Sequence, residues 1–306
     1  MKKIRPLGHM FFIMMLAISV IGCRYPGIND DINGGGPTIN ERDFGPGVTP
    51  MSHDVYDNAT WLAAFLKIND PAEYGHNHII NLTYVPGSMP VYPNPNIINI
   101  NDNQTIPAGV TVSMRVNPAV RVSVQGDLPS GNNINLSGID SRLILRSPNL
   151  THPGPDLFLL RLTAQAGTEI VMHQGIIRGN YPNSATATGS GITVNGGSLT
   201  MYGGEIRNHR EISSGGGVNV IDGTFILRNG EISNNRASYG GGVSVGGNNS
   251  TFTMYNGTIS GNRATVGNGG GVNVSNGADF IMKSGTISGN EATAQGNSTY
   301  FPKSTF

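Results

Sequence analysis

Four sets of side chains in this 306-residue sequence have types and spacings that could do chemistry. Cys23 is the only cysteine, so it cannot form a disulfide within the chain but could carry a covalent modification. Glu205 and Glu231 recur at nearly the same interval as Arg210, Arg236 and Arg263, and Asp222 lies between the two glutamates. Carboxylates brought within a few ångströms of one another can act as an acid/base pair or hold a divalent cation. Stacked arginines would offer a strip of positive charge to an anionic polymer. His76 and His78, in GHNH, are the only pair with metal-like spacing among seven scattered histidines.

What would position these groups is a repeat. QGIIRGN at 174–180 returns as GGEIRNH at 203–209, NGEISNN at 229–235, NGTISGN at 256–262 and SGTISGN at 284–290. The central isoleucines Ile177, Ile206, Ile232, Ile259 and Ile287 are 26–29 residues apart. Self-similarity at such a period marks a solenoid, propeller or array. Each period holds three short stretches with apolar residues at every second position, the pattern of a strand with one face in and one out. One inward set is Val218 and Val220, Phe225 and Leu227, then Ile232. The next is Val243 and Val245, Phe252 and Met254, then Ile259. The next is Val272 and Val274, Phe280 and Met282, then Ile287. The period before gives Ile192 and Val194, Leu199 and Met201, then Ile206.

Three strands of 3–5 residues cannot close a sheet within one period. They can stack on their counterparts in the next period, roughly 4.8 Å away, and each coil buries its apolar residues only when its neighbours cover it. The sequence therefore predicts an all-β fold, a three-faced parallel β-helix with coils of about 27 residues, right-handed by the crossover rule. The triplets Gly215–Gly217, Gly240–Gly242 and Gly269–Gly271 fall at one corner, where the chain needs positive φ or close backbone approach. Asn235, Asn262 and Asn290 fall at another, where stacked amides can hydrogen-bond along the axis. The glycine runs are not phosphate cradles, since no helix follows them and no Gly-Lys-Ser/Thr appears. The calcium-binding nonapeptide repeat is also excluded by the period.

Set on this frame, the chemistry-bearing residues disperse. The glutamate column continues as Thr258 and Thr286, and Asp222 as Gly247 and Asn276. The outward positions of the Val-x-Val strands are Asn219, Ser244 and Asn273. No catalytic cluster is expected. Arg210, Arg236 and Arg263 share the position after the Asn corner, which Glu291 continues. Three like charges about 5 Å apart repel, so they either splay into solvent or meet an anionic ligand. His76 and His78 have no third ligand nearby, and neither a metal nor a cofactor is expected.

The two ends read differently. Lys2, Lys3 and Arg5 precede an apolar run from Met10 to Ile21, too short to span a bilayer comfortably, so residues 1–22 read as a signal peptide. Val20-Ile21-Gly22-Cys23 resembles the lipobox of bacterial lipoproteins. That resemblance implies cleavage before Cys23 and acylation there, with two or more chains giving stable attachment. Residues 23–57 are rich in Gly, Pro, Asn and Asp without an apolar period, and read as a flexible tether of roughly 30 Å reach. In NATWLAAFLKIND, residues 58–70, Asn58 or Thr60 can cap a helix whose face is Trp61, Leu62, Phe65, Leu66 and Ile68. Residues 58–78 are thus expected to cover the first coil, since solenoid ends need caps. Residues 79–306 are expected to form the β-helix, regular over 168–290 and ending in an incomplete coil. Its early part alternates at Val110 to Val116, at Val120 to Val124, at Leu143 and Leu145, and at Phe158, Leu160 and Leu162.

The columns GGGV-x-V, F-x-M and G-T-I-S-G-N resemble the pectate-lyase-like β-helix repeats of bacterial surface proteins, adhesin-like lipoproteins among them. The resemblance covers residues 168–290 well and 79–167 loosely. It implies an exported, lipid-anchored protein, held by its N-terminus in a membrane, on the outer membrane facing the cell surface or on its periplasmic face. Display, adhesion or interaction is then the expected role, with a glycan or a host or matrix protein as partner. A polysaccharide lyase or glycoside hydrolase is the alternative that the fold implies. Without Lys2, Lys3 and Arg5 the chain holds about three more acidic than basic side chains, which argues against a nucleic-acid partner.

Overall fold

A computed structural model describes Phe44 and residues 48–83, 96–116, 122–126, 132–146, 154–181, 183, 189–294 and 299–300. Cys23 and the expected signal peptide lie outside these residues. The described chain is a parallel β-solenoid with coils of about 28 residues and very little helix. From Asn77–Leu82 onward each coil contributes one strand to each of three parallel sheets, which hold nine, eight and eight strands because Met51–Val55 adds one to the first. The first sheet ends with Ser198–Met201, Thr224–Leu227, Thr251–Met254 and Asp279–Met282; the second with Glu205–Arg207, Glu231–Ser233, Thr258–Ser260 and Thr286–Ser288. The third runs from Gln104–Ile106 to Val272–Ser275 and Thr299–Tyr300, and a small fourth sheet joins Arg236–Ala237, Arg263–Ala264 and Glu291–Ala292.

The predicted columns are in register. Ile177, Ile206, Ile232, Ile259 and Ile287 pair in succession. Phe225, Phe252 and Phe280 stack face to face, with centroids 4.5 and 4.7 Å apart. The inward residues of the four regular periods are buried down to Val274, each stabilising the coil by about 1.5–3 kcal/mol. In the last described coil Phe280 and Ile287 are only partly buried and Met282 is 45% exposed, because the first and second sheets have no further described strand to cover them. The less regular early coils belong to the same three sheets: Thr111–Val116 pairs with Arg142–Arg146, and that strand with Glu169–Met172.

Three local expectations are corrected. Met51–Val55 lies within the expected tether, yet it is a strand paired with Asn77–Leu82. The helix Asn58–Ile68 is capped by Asp57, whose Oδ1 accepts from the Thr60 amide at 2.8 Å while Thr60 Oγ1 accepts from the Asp57 amide. Its buried stripe is Trp61, Ala64, Phe65 and Ile68, leaving Leu66 74% exposed and Leu62 at the surface, since 62 and 66 fall one residue off the i, i+3, i+4, i+7 stripe. That stripe joins the hydrophobic core, and Asn69 Nδ2 donates to the Thr105 carbonyl at 3.0 Å, tying the helix end to the third sheet. Phe158 points outward and Leu157 inward, because Leu159 turns the chain with φ 55 between Asp156–Phe158 and Leu160–Ala164. Of the Val120 to Val124 alternation, Val120 lies outside the described residues and Val124 is buried.

The glycine triplets divide their work. Gly215, Gly240 and Gly269 hold φ of 71, 60 and 67. The second and third glycines allow coils to touch backbone to backbone: the Gly241 and Gly242 amides donate to the Gly269 and Gly270 carbonyls, each at 3.1 Å. A Cβ on Gly242 would meet Gly271 O at 2.6 Å. Gly242→Ala is therefore expected to destabilise by roughly 1–3 kcal/mol. Gly246→Ala, whose new methyl meets nothing nearer than Ser275 Oγ at 3.3 Å, should stay within about 0.5 kcal/mol. Urea midpoints compare them, and equal losses would refute the close-approach account. The same loop covers the outer side of the third sheet, so Ser244 and Asn273, outward by alternation, are buried.

Candidate functional site

The Asn corner is a ladder. Asn235 Nδ2 donates to Asn262 Oδ1 and Asn262 Nδ2 to Asn290 Oδ1, each at 3.0 Å. The same oxygens accept from the Asn235 and Asn262 amides at 2.9 Å. The side-chain Nδ2 of Asn235, Asn262 and Asn290 also donates inward, to the carbonyls of Ile206, Ile232 and Ile259 in turn. One coil earlier His209 takes the position: its backbone amide donates to Asn235 Oδ1 at 3.0 Å and its ring donates to the Ile177 carbonyl at 3.2 Å. Burial pushes the His209 pKa down to about 4.

This ladder aligns the arginines that follow it. Arg210, Arg236 and Arg263 pair backbone to backbone, and Glu291 continues the column. Their side chains take different partners. The Arg236 guanidinium lies 5.7 Å from the Tyr181 ring centre and donates to its hydroxyl at 3.4 Å. Arg263 Nε is 3.5 Å from Glu291. The charges are thus aligned in the backbone but not pooled.

The carboxylates are likewise dispersed. Asp156 takes a bidentate contact from Arg178, at 2.7 and 2.9 Å, under a guanidinium that also covers the Phe158 ring. Glu169 meets Arg142 at 2.7 Å and Glu205 meets Arg207 at 2.8 Å. Glu205 and Glu231 do stack, and Thr258 and Thr286 follow in register. Asp222 holds φ 49 at a turn where Gly247 and Asn276 also have positive φ, a conformation that Asp and Asn tolerate better than most residues. Among the described residues no three His, Cys, Asp or Glu side chains gather closely enough to hold a metal.

His78 has a partner that spacing could not reveal. Its ring stacks on His53, with centroids 5.2 Å apart, and both are buried. His53 Nε2 donates to His78 Nδ1 at 3.0 Å, while His78 Nε2 donates to the Gly75 carbonyl. The pair sits in the first two strands of the first sheet and makes a structural contact.

A longer column was missed. On the outer face of the first sheet, the residue after the second inward position of the seven strands from Thr111–Val116 to Asp279–Met282 is Arg115, Arg146, His173, Tyr202, Arg228, Tyr255 and Lys283; Asn81 and Asp54 continue the column into the first two strands. Arg115 pairs with Arg146. From His173 onward each amide donates to the preceding coil in register, to Leu145, Met172, Met201, Leu227 and Met254 in turn. The His173 and Tyr202 rings stack at 5.0 Å, and the Arg228 guanidinium lies 5.6 Å from the Tyr202 ring centre and 4.9 Å from that of Tyr255. The signal was present as the residue following V-M, T-M, I-L, T-M and I-M, but its chemical type changes from coil to coil, so no single letter repeats. No protein-family model, curated protein or solved structure matches this chain.

Proposed function

We propose that the chain is an exported protein, lipid-anchored at Cys23, whose β-solenoid displays polar outer faces for interaction at the cell surface and does no catalysis. The observation that carries the reading is the dispersal of the carboxylates. Asp156, Glu169, Glu205 and Glu291 each face an arginine, whereas a lyase or hydrolase gathers carboxylates around one bond. The basic and apolar leader ending at Cys23 supports export and acylation. No helix among the described residues is long and apolar enough to cross a membrane.

The test is on cells. Cys23→Ser should abolish incorporation of a radioactive fatty acid and leave unprocessed precursor; equal label in the variant would refute the anchor. Protease added to intact cells should shave the wild-type protein, and protection until the envelope is broken would refute surface display. The purified chain should release no ultraviolet-absorbing product and no new reducing ends from pectin, polygalacturonate or glycosaminoglycans, with or without Ca²⁺. Either product would establish an enzyme instead.

A further inference from the structure

From Arg115 to Lys283 the column contains no carboxylate, and Asp54, the one it reaches, lies two strands before Arg115. The Arg115–Lys283 stretch spans six coil steps, roughly 29 Å at the parallel-strand spacing. Its core is Arg228, whose Nε is buried without a hydrogen-bond partner and whose guanidinium is held between two tyrosine rings. A cation so placed is already ordered, and among the described residues no carboxylate pairs with it, so little conformational freedom remains to be lost on binding. Lys283 is exposed two coils further on, roughly 10 Å away, about the length of one disaccharide in an extended glycan.

The neighbouring columns favour sugar hydroxyls. On one side stand Gly203, Asn229, Asn256 and Ser284; on the other, Thr200 and Thr253 alternate with Ile226 and Ile281. Both faces of Tyr202 are occupied, by His173 and Arg228, so it turns an edge and a hydroxyl outward. Nucleobases need open ring faces on which to stack, whereas a glycan can use edge hydroxyls and amides. We propose that Tyr202, Arg228, Tyr255 and Lys283 form a binding strip for a linear anionic polysaccharide lying along the solenoid axis. Its carboxylate or sulfate groups meet Arg228 and Lys283, and its hydroxyls meet the tyrosine hydroxyls and the Asn229 and Asn256 amides. The inference rests on the display reading and gives it a ligand class.

The full-length chain, purified in detergent, is tested on immobilised polygalacturonate, hyaluronate and heparin, with dextran as neutral control. Binding to at least one anionic glycan, weakening as salt rises and absent on dextran, is expected; uronate and sulfate are told apart by which surface retains the chain. Arg228→Gln should lose about tenfold in affinity, as a charged hydrogen-bonding contact is removed. Arg228→Lys should lose nearly as much, because an ammonium cannot lie flat between two rings. Arg207→Gln, on the second sheet and already paired with Glu205, should stay within about twofold, since it leaves this strip intact. Unchanged melting temperatures would show that the variants fold.

Retention on none of the three glycans would overturn the strip, as would an Arg228→Gln variant that binds like wild type. Single-stranded DNA bound with the same dependence on Arg228 would make nucleic acid the ligand and overturn it too. The display reading has its own readout. A chain shaved from intact cells that ignores all three glycans refutes the strip alone, whereas one that binds them but is protected inside the envelope refutes display.

Discussion

Ile259→Asp is expected to abolish cooperative folding of the central coils. Ile259 is fully buried between Ile232 and Ile287. Truncation to alanine alone should cost roughly 2–5 kcal/mol through lost burial and the cavity left behind. Aspartate adds a buried carboxylate without a partner, which costs more again. Native domains have only about 5–15 kcal/mol to lose. The neighbouring Ser260 is paired with Ser233 and Ser288 on the opposite side of the strand, so Ser260→Asp should stay within about 0.5 kcal/mol. Urea melts of the three variants decide it. Similar losses at 259 and 260 would mean that the in/out assignment of this strand is wrong.

Mild acid should weaken the solenoid through its buried histidines. Burial pushes His209 down to about 4, and the charge of Arg161 pushes the same way, while the hydrogen bond to Ile177 opposes both. His53 is likewise pushed down to about 4, by burial first, then by His78 and Lys67; burial also lowers His78. Their unfolded-state value is 6.5, so as pH falls below it the unfolded chain takes up protons that the folded chain refuses. Stability is full above that value, declines as pH falls toward 4, and levels off below the folded pKa. For His209 the loss by pH 5 is roughly 2 kcal/mol. His209→Asn places at this corner the residue found there in the next three coils. It should keep the backbone bond to Asn235 and remove that share of the loss. Urea midpoints at pH 7 and pH 5 measure it, and an unchanged difference in the variant would show that His209 titrates normally in the fold.

The period of the isoleucines and the two-residue alternation around them determined the coil, its three faces and the inward columns from Ile192 to Ile287. Those properties are local and repeated: each strand names its buried face by itself, and equal periods bring like residues into register. The Asn ladder followed for the same reason, because one residue type returns at one corner. Where local pattern is weak, contacts between distant residues decided. Met51–Val55 has no alternation strong enough to stand out from a Gly- and Pro-rich segment, and becomes a strand because Asn77–Leu82 lies beside it. Phe158 and Leu160 look like one alternating strand, yet the turn at Leu159 separates them and exchanges the faces. His53 and His78 meet only because their strands pair. The outer column of Arg, His, Tyr and Lys is the clearest case. Its members are in the sequence at the coil period, but a guanidinium between two rings exists only once three coils are stacked, and no one repeat contains it.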